Sequence, residues 1–379
     1  HLKQDEPDTS NRLDGMKQGV IGQPISRVEG LAKVTGTAPY AAEYPIEGWR
    51  TLSLSIFRIT RGEILKIDKD SVLGMPGVIA VIDDPRLTTR AAQGTANEAP
   101  QQSPRTVCYW GQPIALVVAE TFEQARDAAK HLAVEYRPDE GAPLSPDAVQ
   151  PEEQEDETVR QGDLVHAMGE AAHSVDVTFT TKGHASAAME PHAAIAQWDG
   201  DQLTVHASLQ MLNYNISELA DAIDLPEEKV RLVSRFVGGG FGSKLGVSEE
   251  TVAAAIAAMQ LERPVRVVMS RQQVFQCIMR RSETTQRLRL AADQKGRLTG
   301  FGHEALVSNL PGETFAEPVL QSSHFLYAAQ NRKLMLEVAR IHRMTAGSVR
   351  APGEAVGMPA LEGAMDVLAE RAGIDPVEL

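Results

Sequence analysis

The sequence predicts an α+β protein built from two regions, on three observations. Apolar runs of strand length, Val78–Ile82, Ile114–Ala119 and Leu132–Tyr136, follow one another closely around a short helix. Proline and acidic residues then interrupt the pattern over residues 143–157. Beyond them strands mix with two long helices, Ser248–Leu261 and Glu354–Ala372, with no repeat of solenoid period.

Each stretch has its own justification. Residues 1–19 are charged and poor in apolar side chains, which predicts a flexible arm. His1 to Lys17 holds no apolar signal region, so no export signal is expected on this chain, and export with a partner stays open. Ordered pattern begins near Val20 and continues to residue 142 as the first region. Within it, Thr121-Phe-Glu-Gln124 fits a capping box that opens a helix reaching about Lys130. Pro138 closes the strand that follows. Pro143, Pro146 and Pro151 precede the acidic run Glu152 to Glu157, read as a solvated linker over 143–157. The second region, 158–379, carries strand patterns at Val175–Thr181, Leu203–Ala207, Val265–Met269 and Gln286–Ala291. Glu249 and Glu250 stand at the positive end of the first long helix, and Gly373 and Pro376 stop the second.

Composition excludes several functions. The chain has 379 residues, a formal net charge of -14, 42% hydrophobic and 23% charged residues. That length calls for more than one core, and the composition is that of a folded protein. The acidic balance disfavours a phosphate-backbone binder. Two cysteines, Cys108 and Cys277, are too few for an iron–sulfur cluster or a four-thiolate zinc site, and their spacing is no redox motif. A disulfide between them stays open. The alanine-rich Val252–Met259 is too short to span a bilayer and reads as core helix.

Three segments could carry chemistry. Gly238-Gly-Gly-Phe241-Gly-Ser-Lys244 follows an apolar, strand-like stretch, Val230–Val237. Its glycines let backbone approach a ligand, and its amides can face an anion or an oxo group. The spacing fits neither the dinucleotide fingerprint nor a Walker A loop. A tight strand-to-helix turn is the alternative, although a glycine-flanked aromatic does nothing for a turn. In His184 to His192, two histidines and Glu190 suggest a metal site, but Pro191 breaks the helix face such a site needs. A polar strand end with both histidines hydrogen-bonded is the other reading. In Val349-Arg350-Ala-Pro-Gly353, Arg350 precedes a helix start and could help form an anion pocket, or be a solvated surface arginine. Gln210, after the strand Leu203–Ala207, says nothing by itself.

Together these segments fall in the order and approximate spacing of one family. The chain resembles the molybdenum-binding large subunit of the xanthine dehydrogenase/aldehyde oxidase family, and is most similar to its bacterial periplasmic aldehyde oxidoreductase branch. The matching residues begin with Gly22-Gln-Pro-Ile-Ser-Arg27, Lys33-Val-Thr-Gly36 through Tyr40, and Gly111-Gln-Pro-Ile114 through Glu120. They continue with Met189-Glu-Pro-His192, Gly238 to Lys244, Asn309-Leu-Pro-Gly312, Arg350-Ala-Pro-Gly353 and Asp375-Pro-Val-Glu-Leu379. The resemblance implies an a/b hammerhead domain over 20–142 and the first half of the molybdopterin-binding region over 158–379. It implies hydroxylation of an aldehyde or N-heterocycle carbon with oxygen from water. The implied cofactor is molybdopterin, as the cytosine dinucleotide in most bacterial members. Electrons would leave through 2Fe-2S clusters and FAD on partner subunits.

Carried over residue by residue, Gln210 matches the glutamine near a molybdenum oxo ligand. Phe241, with Gly239, Gly240 and Gly242, matches the loop lying against the metal and dithiolene. Arg350 matches the loop that passes the metal on another side. No residue here would ligate the metal directly. Leu245 and Pro352 stand where purine-specific members carry a glutamate and a phenylalanine, so the resemblance implies an aldehyde-type pocket. The family continues past its Asp-Pro-Val-Glu-Leu motif into a second cofactor-binding half that includes a general-base glutamate. Glu190, Glu304 and Glu354 are the carboxylates near matched motifs, and no family pattern makes any of them the base. The expectation is an N-terminal half with no catalytic residue of its own, active with a chain that supplies the rest. A non-catalytic fragment or paralogue serving as an assembly module is the competing reading. Relatives occur in the periplasm, exported through a partner's signal, and in the cytoplasm, so localisation stays open.

Overall fold

The computed structural model describes residues 23–56, 59–87 and 105–379. The arm expected at 1–19 and Gly22 of the entry motif lie outside the described residues. The chain divides into two units, His1–Pro39 and Tyr40–Leu379. The first contains the short helix α1 (Gly30–Val34). Everything below concerns the second.

Its largest sheet has seven strands in the order β12-β11-β10-β13-β1-β5-β3. These are β1 (Arg50–Ile56), β3 (Val78–Ile82), β5 (Pro113–Ala119), β10 (Ala193–Trp198), β11 (Leu203–Ala207), β12 (Val230–Val233) and β13 (Val265–Val268). The sheet is mixed: β1 runs parallel to β13 and antiparallel to β5, and β11 runs parallel to β12. It joins strands from both sides of the acidic stretch. Leu52, Leu116 and Val118 share one core with Ala194, Val205 and Val267. The helices α5 (Leu212–Ile223) and α6 (Glu249–Leu261) contribute Leu219, Ile223 and the run Val252–Ala258 to that core. A helix apolar on every side is a buried helix, which is why the alanine-rich stretch carries no polar face.

A three-stranded sheet, β4-β2-β6, is made of β2 (Gly62–Asp68), β4 (Thr106–Val107) and β6 (Ala133–Pro138). With α2 (Asp70–Leu73) and α3 (Phe122–His131) it encloses a second core around Ile64, Val72, Val107 and Ala128. Strand β5 lies between the two cores: Ile114 and Val117 face one, Leu116 and Val118 the other. Burial on both faces explains its unbroken apolar run. The capping box of α3 forms as expected: Thr121 Oγ1 accepts from Gln124 N at 3.3 Å, and the Gln124 side chain accepts from Thr121 N at 3.1 Å.

The third sheet is ordered β7-β16-β15-β14-β9, with β8 also on β16. Its strands are β7 (Glu152–Glu153), β8 (Val159–Gln161), β9 (His173–Thr181), β14 (Thr284–Ala292), β15 (Leu298–Asn309) and β16 (Asn331–Arg340). The helix α8 (Glu354–Ala372) seals one face with Val356, Leu361, Ala364 and Leu368. It ends where Gly373 adopts the left-handed conformation, φ +64°. The helix α4 (Leu164–Glu170) packs on β14 to β16, and α7 (Arg271–Cys277) follows β13.

Two expectations need correction. The acidic run is not an unpaired linker: Glu152 and Glu153 pair with Val338 and Glu337, and Gln154 N donates to Leu336 O at 2.8 Å. Backbone pairing is indifferent to side-chain charge as long as the charges stay in water, and Glu152, Glu153, Glu155 and Asp156 do. The strand expected over Val230–Val237 ends at Val233. There Ser234 Oγ bonds both the nitrogen and the oxygen of Leu209, each at 3.2 Å, and replaces the next rung of the ladder. Cys108 and Cys277 are not joined in a disulfide.

Candidate functional site

The site is assembled by loops at the ends of three elements. Gln210 ends the turn that leads from β11 into α5, Gly238 to Lys244 lies in the long connection from β12 to α6, and Arg350 immediately precedes α8. The structure brings all three together. Gln210 N donates to Lys244 O at 2.8 Å. The Gln210 Oε1 accepts from Gly242 N at 3.2 Å and from Lys244 N at 3.3 Å. Arg350 N donates to Phe241 O at 2.8 Å.

This closeness depends on missing side chains. A Cβ on Gly240 would lie 2.6 Å from Gln210 Cδ, inside the amide. A Cβ on Gly242 would lie 2.9 Å from Val349 Cα and closer still to the Ser348 carbonyl. The glycines are thus explained by approach between segments as well as by turning. Three non-glycine residues with left-handed backbone sit here too: Ala187 at φ +47°, Phe241 at +52° and Ala351 at +53°. The other two in the described chain, Asp224 and Glu262, are helix C-caps, where that conformation is ordinary. Strain gathered in three touching loops, away from helix C-termini, is characteristic of a functional site.

Several donors are left over. With Oε1 occupied, the Gln210 Nε2 has no acceptor among the described residues, and neither do the backbone N–H groups of Gly239, Gly240 and Phe241. Arg350 is exposed and has no carboxylate within ion-pair distance among the described residues. The Phe241 ring is 44% exposed and folds back over Gly239. Successive unpaired N–H groups beside an amide, on a loop to which the Arg350 backbone is bonded, form a surface for an acceptor-rich, electronegative group. α5 and α8 begin next to it and add their positive ends.

Behind this surface lie groups that sequence reasoning did not assign. Lys244 is completely buried and its Nζ donates to Glu190 Oε2 at 2.9 Å. Burial pushes the Glu190 carboxyl up, but hydrogen bonds from Ser208 and Gly238 and the Lys244 charge outweigh it, so Glu190 sits below the usual carboxylate range. His192 Nε2 donates to Ser243 O at 3.0 Å, and burial brings its imidazole down to about 4, so it is neutral. Of the two histidines expected to be hydrogen-bonded, His184 is exposed and its ring has no partner among the described residues. Arg281, also buried, donates to the carbonyls of Val349 (2.9 Å), Arg350 and Ala351 (3.3 Å) while paired with Glu317. Glu317 in turn accepts from Gly353 N at 2.7 Å. The Arg350 loop is therefore clamped from below. Glu304, a carboxylate considered as a base, is held between Arg289 and Lys333. Nothing in the local sequence announces these pairs, whose members stand 54, 36, 15 and 29 residues apart.

Comparison with known proteins gives this surface a context. The family described as the molybdopterin cofactor-binding domain matches residues 148–379. The family described as the aldehyde oxidase and xanthine dehydrogenase a/b hammerhead domain matches residues 35–140. Over the whole chain there is 41% identity to the aldehyde oxidoreductase molybdenum-binding subunit PaoC of Escherichia coli, across 52% of that protein. The fold is shared with quinoline 2-oxidoreductase of Pseudomonas putida 86 (TM-score 0.83, 21% identity, 93% of this chain, 49% of that one). It is shared also with the aldehyde oxidoreductase of Desulfovibrio gigas (TM-score 0.81, 25% identity, 93% of this chain, 42% of that one). The chain spans about half the length of each of these relatives.

Proposed function

The chain belongs to the aldehyde oxidase and xanthine dehydrogenase family of molybdopterin-binding subunits, and from that membership we propose that it forms one wall of the molybdenum pocket in an aldehyde-oxidising hydroxylase. The observation that carries the proposal is the convergence of unpaired donors from three separate stretches: Gln210, Gly239 to Phe241, and Arg350. The residues fit the group. An oxo and dithiolene cofactor offers acceptors and negative charge, and this surface offers donors and helix N-termini. When bound, the cofactor supplies two-electron oxidation of a carbon centre with oxygen taken from water.

The chain's own residues would bind and orient. Gln210 would donate its Nε2–H to an oxo oxygen, a neutral amide suited to charge that develops there without adding a proton. Gly239, Gly240 and Gly242 would let the loop backbone lie against the dithiolene, and the Phe241 ring would limit water on that side. Arg350, on a loop braced by Arg281, would hold an anionic part of the cofactor in place. Leu245 and Pro352 would make the substrate side apolar and leave a purine's polar edge without partners, which favours a small aldehyde or an apolar aromatic heterocycle. The relative named as an aldehyde oxidoreductase supports that choice.

The remaining assignments are part of the same proposal. The pterin would carry cytosine dinucleotide, and 2Fe-2S and FAD subunits would take the electrons. A second cofactor-binding half would bring the base; of the carboxylates near matched motifs, Glu190 and Glu304 are committed to cations. The hammerhead portion would be 20–142 and the cofactor portion 158–379, two portions that share one sheet.

The test is to co-express this chain with a polypeptide carrying the second half of the family's subunit and with both electron-transfer subunits. Metal and pterin analysis should then find about one molybdenum per assembly, with dye-linked oxidation of an aromatic aldehyde. Assemblies without molybdenum, or with full occupancy and rate after Gln210→Ala and Arg350→Ala, would defeat the proposal.

A further inference from the structure

Between the Gln210 turn and the Phe241 loop lies a buried polar unit made of Lys244, Glu190 and Ser208. All three protons of the Lys244 ammonium are used: it donates to Glu190 Oε2 at 2.9 Å, to Ser208 Oγ at 2.9 Å and to the Glu190 carbonyl at 3.2 Å. The Glu190 Oε2 also accepts from Ser208 Oγ at 2.5 Å and from Gly238 N at 2.7 Å. Its Oε1 accepts from Ala41 N at 3.4 Å. A Cβ on Gly238 would lie 2.5 Å from Glu190 Cβ, so the loop backbone rests directly on this side chain.

The connectivity gives the unit a position no other group has. Ser208 is two residues before Gln210, Gly238 opens the loop that presents Phe241, and Lys244 closes it. Glu190 holds the first two, and Lys244 holds Glu190 while its own backbone exchanges hydrogen bonds with Gln210. A buried ion pair is a poor device for stability, since apolar residues of similar volume usually do as well or better. What it does supply is direction: each charge demands particular partners in a particular geometry. The segments it holds, Ala187 to Glu190 and Gly238 to Lys244, carry two of the three left-handed non-glycine residues at the site, a conformation kept only when the surroundings over-determine it.

We propose that Lys244, Glu190 and Ser208 are positioning residues that fix the Gln210 amide and the Phe241 loop relative to one another, and so set the geometry of the cofactor wall. The proposal rests on the functional reading above for what the wall faces, and on hydrogen bonds alone for what holds it. Lys244 and Ser208 are buried behind the Gln210 and Phe241 surface. They act through Gln210 and Phe241.

Single removal of one charge strands the other in the interior and destabilises the region, so the informative variant is the neutral pair Lys244→Met with Glu190→Gln. Ser208→Ala, which keeps both charges, serves as the milder one. Two readouts are required. In the chain as it stands, exchange of the hydrogen-bonded amides of Gly238, Gly242, Ser243 and Lys244 should become about tenfold faster in the double variant, with β14 to β16 unchanged and Ser208→Ala intermediate. In the assembled enzyme, the Mo(V) paramagnetic resonance signature should shift and kcat should fall more than KM, at unchanged molybdenum content. Exchange at the wild-type rate in the loop would overturn the proposal. Exchange accelerated equally everywhere would overturn it as well, because that is loss of stability and not of positioning. An unaltered Mo(V) signature with a loosened loop would do the same. A wild-type assembly lacking molybdenum would instead sink the functional reading, and the exchange result would still show whether the unit anchors the loop.

Discussion

Gly242→Ala separates the two reasons a glycine can be required, because the chain contains a matched control. Gly242 has φ +97° and Gly200, in the turn between β10 and β11, has φ +98°. An alanine at either position is forced to a positive φ that L-residues avoid, at about 1–2 kcal/mol. At Gly200 nothing lies within 4 Å of the added Cβ. At Gly242 that Cβ would be 2.9 Å from Val349 Cα and 3.0 Å from the Ser348 carbonyl carbon, both backbone atoms that cannot swing away. Relief requires the two loops to separate, at the expense of the 2.8 Å bond from Arg350 N to Phe241 O. Overpacking of this kind costs about 1–3 kcal/mol and the lost hydrogen bond about 1 kcal/mol. The expected result is that Gly242→Ala is less stable than Gly200→Ala by about 2–4 kcal/mol. Urea unfolding of both variants, extrapolated to water, measures the difference. A gap under about 0.5 kcal/mol, within the scatter of unremarkable substitutions, would refute the claim that the Arg350 loop packs on the Gly242 backbone.

Three further outcomes follow. His192 and His303 are brought to about 4 in the fold, chiefly by burial, against an ordinary value near 6.5. The unfolded chain therefore binds more protons between those limits, and stability should rise with pH from about 4 to 6.5, by roughly 1.4 kcal/mol per unit for each ring. Replacing His303 with Gln should flatten that slope in urea titrations. Glu250 is fully buried and its carboxyl is raised to about 7 by burial first and by Glu249 in addition. It keeps a proton that the unfolded chain has lost, so its contribution fades as pH rises from 4.5 to 7, and Glu250→Gln should be the more stable protein at pH 8 by up to about 3 kcal/mol, with no gain at pH 4. An Arg281→Ala variant leaves Glu317 buried without its cation and frees three carbonyls, and should lose about 3–5 kcal/mol. Hydrogen exchange over residues 348–353 should accelerate first in that variant.

Much of the framework is legible in the sequence because it depends on local pattern. Val78–Ile82, Leu203–Ala207 and Glu354–Ala372 match the observed elements to the residue, and the cap at Thr121 is as expected. What escapes notice depends on tertiary context. Strand β15 contains Gly300 and Gly302, a residue type depleted in strands. Their lack of a side chain is a packing requirement: a Cβ on Gly302 would lie 2.6 Å from Leu164 Cδ2 on α4. Strand β16 alternates Leu334, Leu336 and Val338 inward, a local pattern partly masked by Arg332, Lys333, Glu337 and Arg340. Strand β12 stops at a serine that no periodicity marks.

The same division holds at the site. Gln210, Phe241 and Arg350 carry no compelling local signal, and their association came from the order of motifs along the chain. Their spatial convergence is a fact of the structure. The groups beneath them, Lys244 with Glu190 and Arg281 with Glu317, were invisible because an ion pair between distant segments leaves no periodicity. A lysine misplaced for a nucleotide loop and a glutamate before a proline were the available hints.

The central claim is that Gln210, the Phe241 loop and Arg350 face one molybdopterin. Anomalous diffraction at the molybdenum edge from crystals of the assembled enzyme tests it most directly. The account predicts a single strong peak beside the Phe241 ring, with the Gln210 Nε2 turned toward it. A peak in another part of the assembly, with these three residues facing solvent or bare protein, would contradict it.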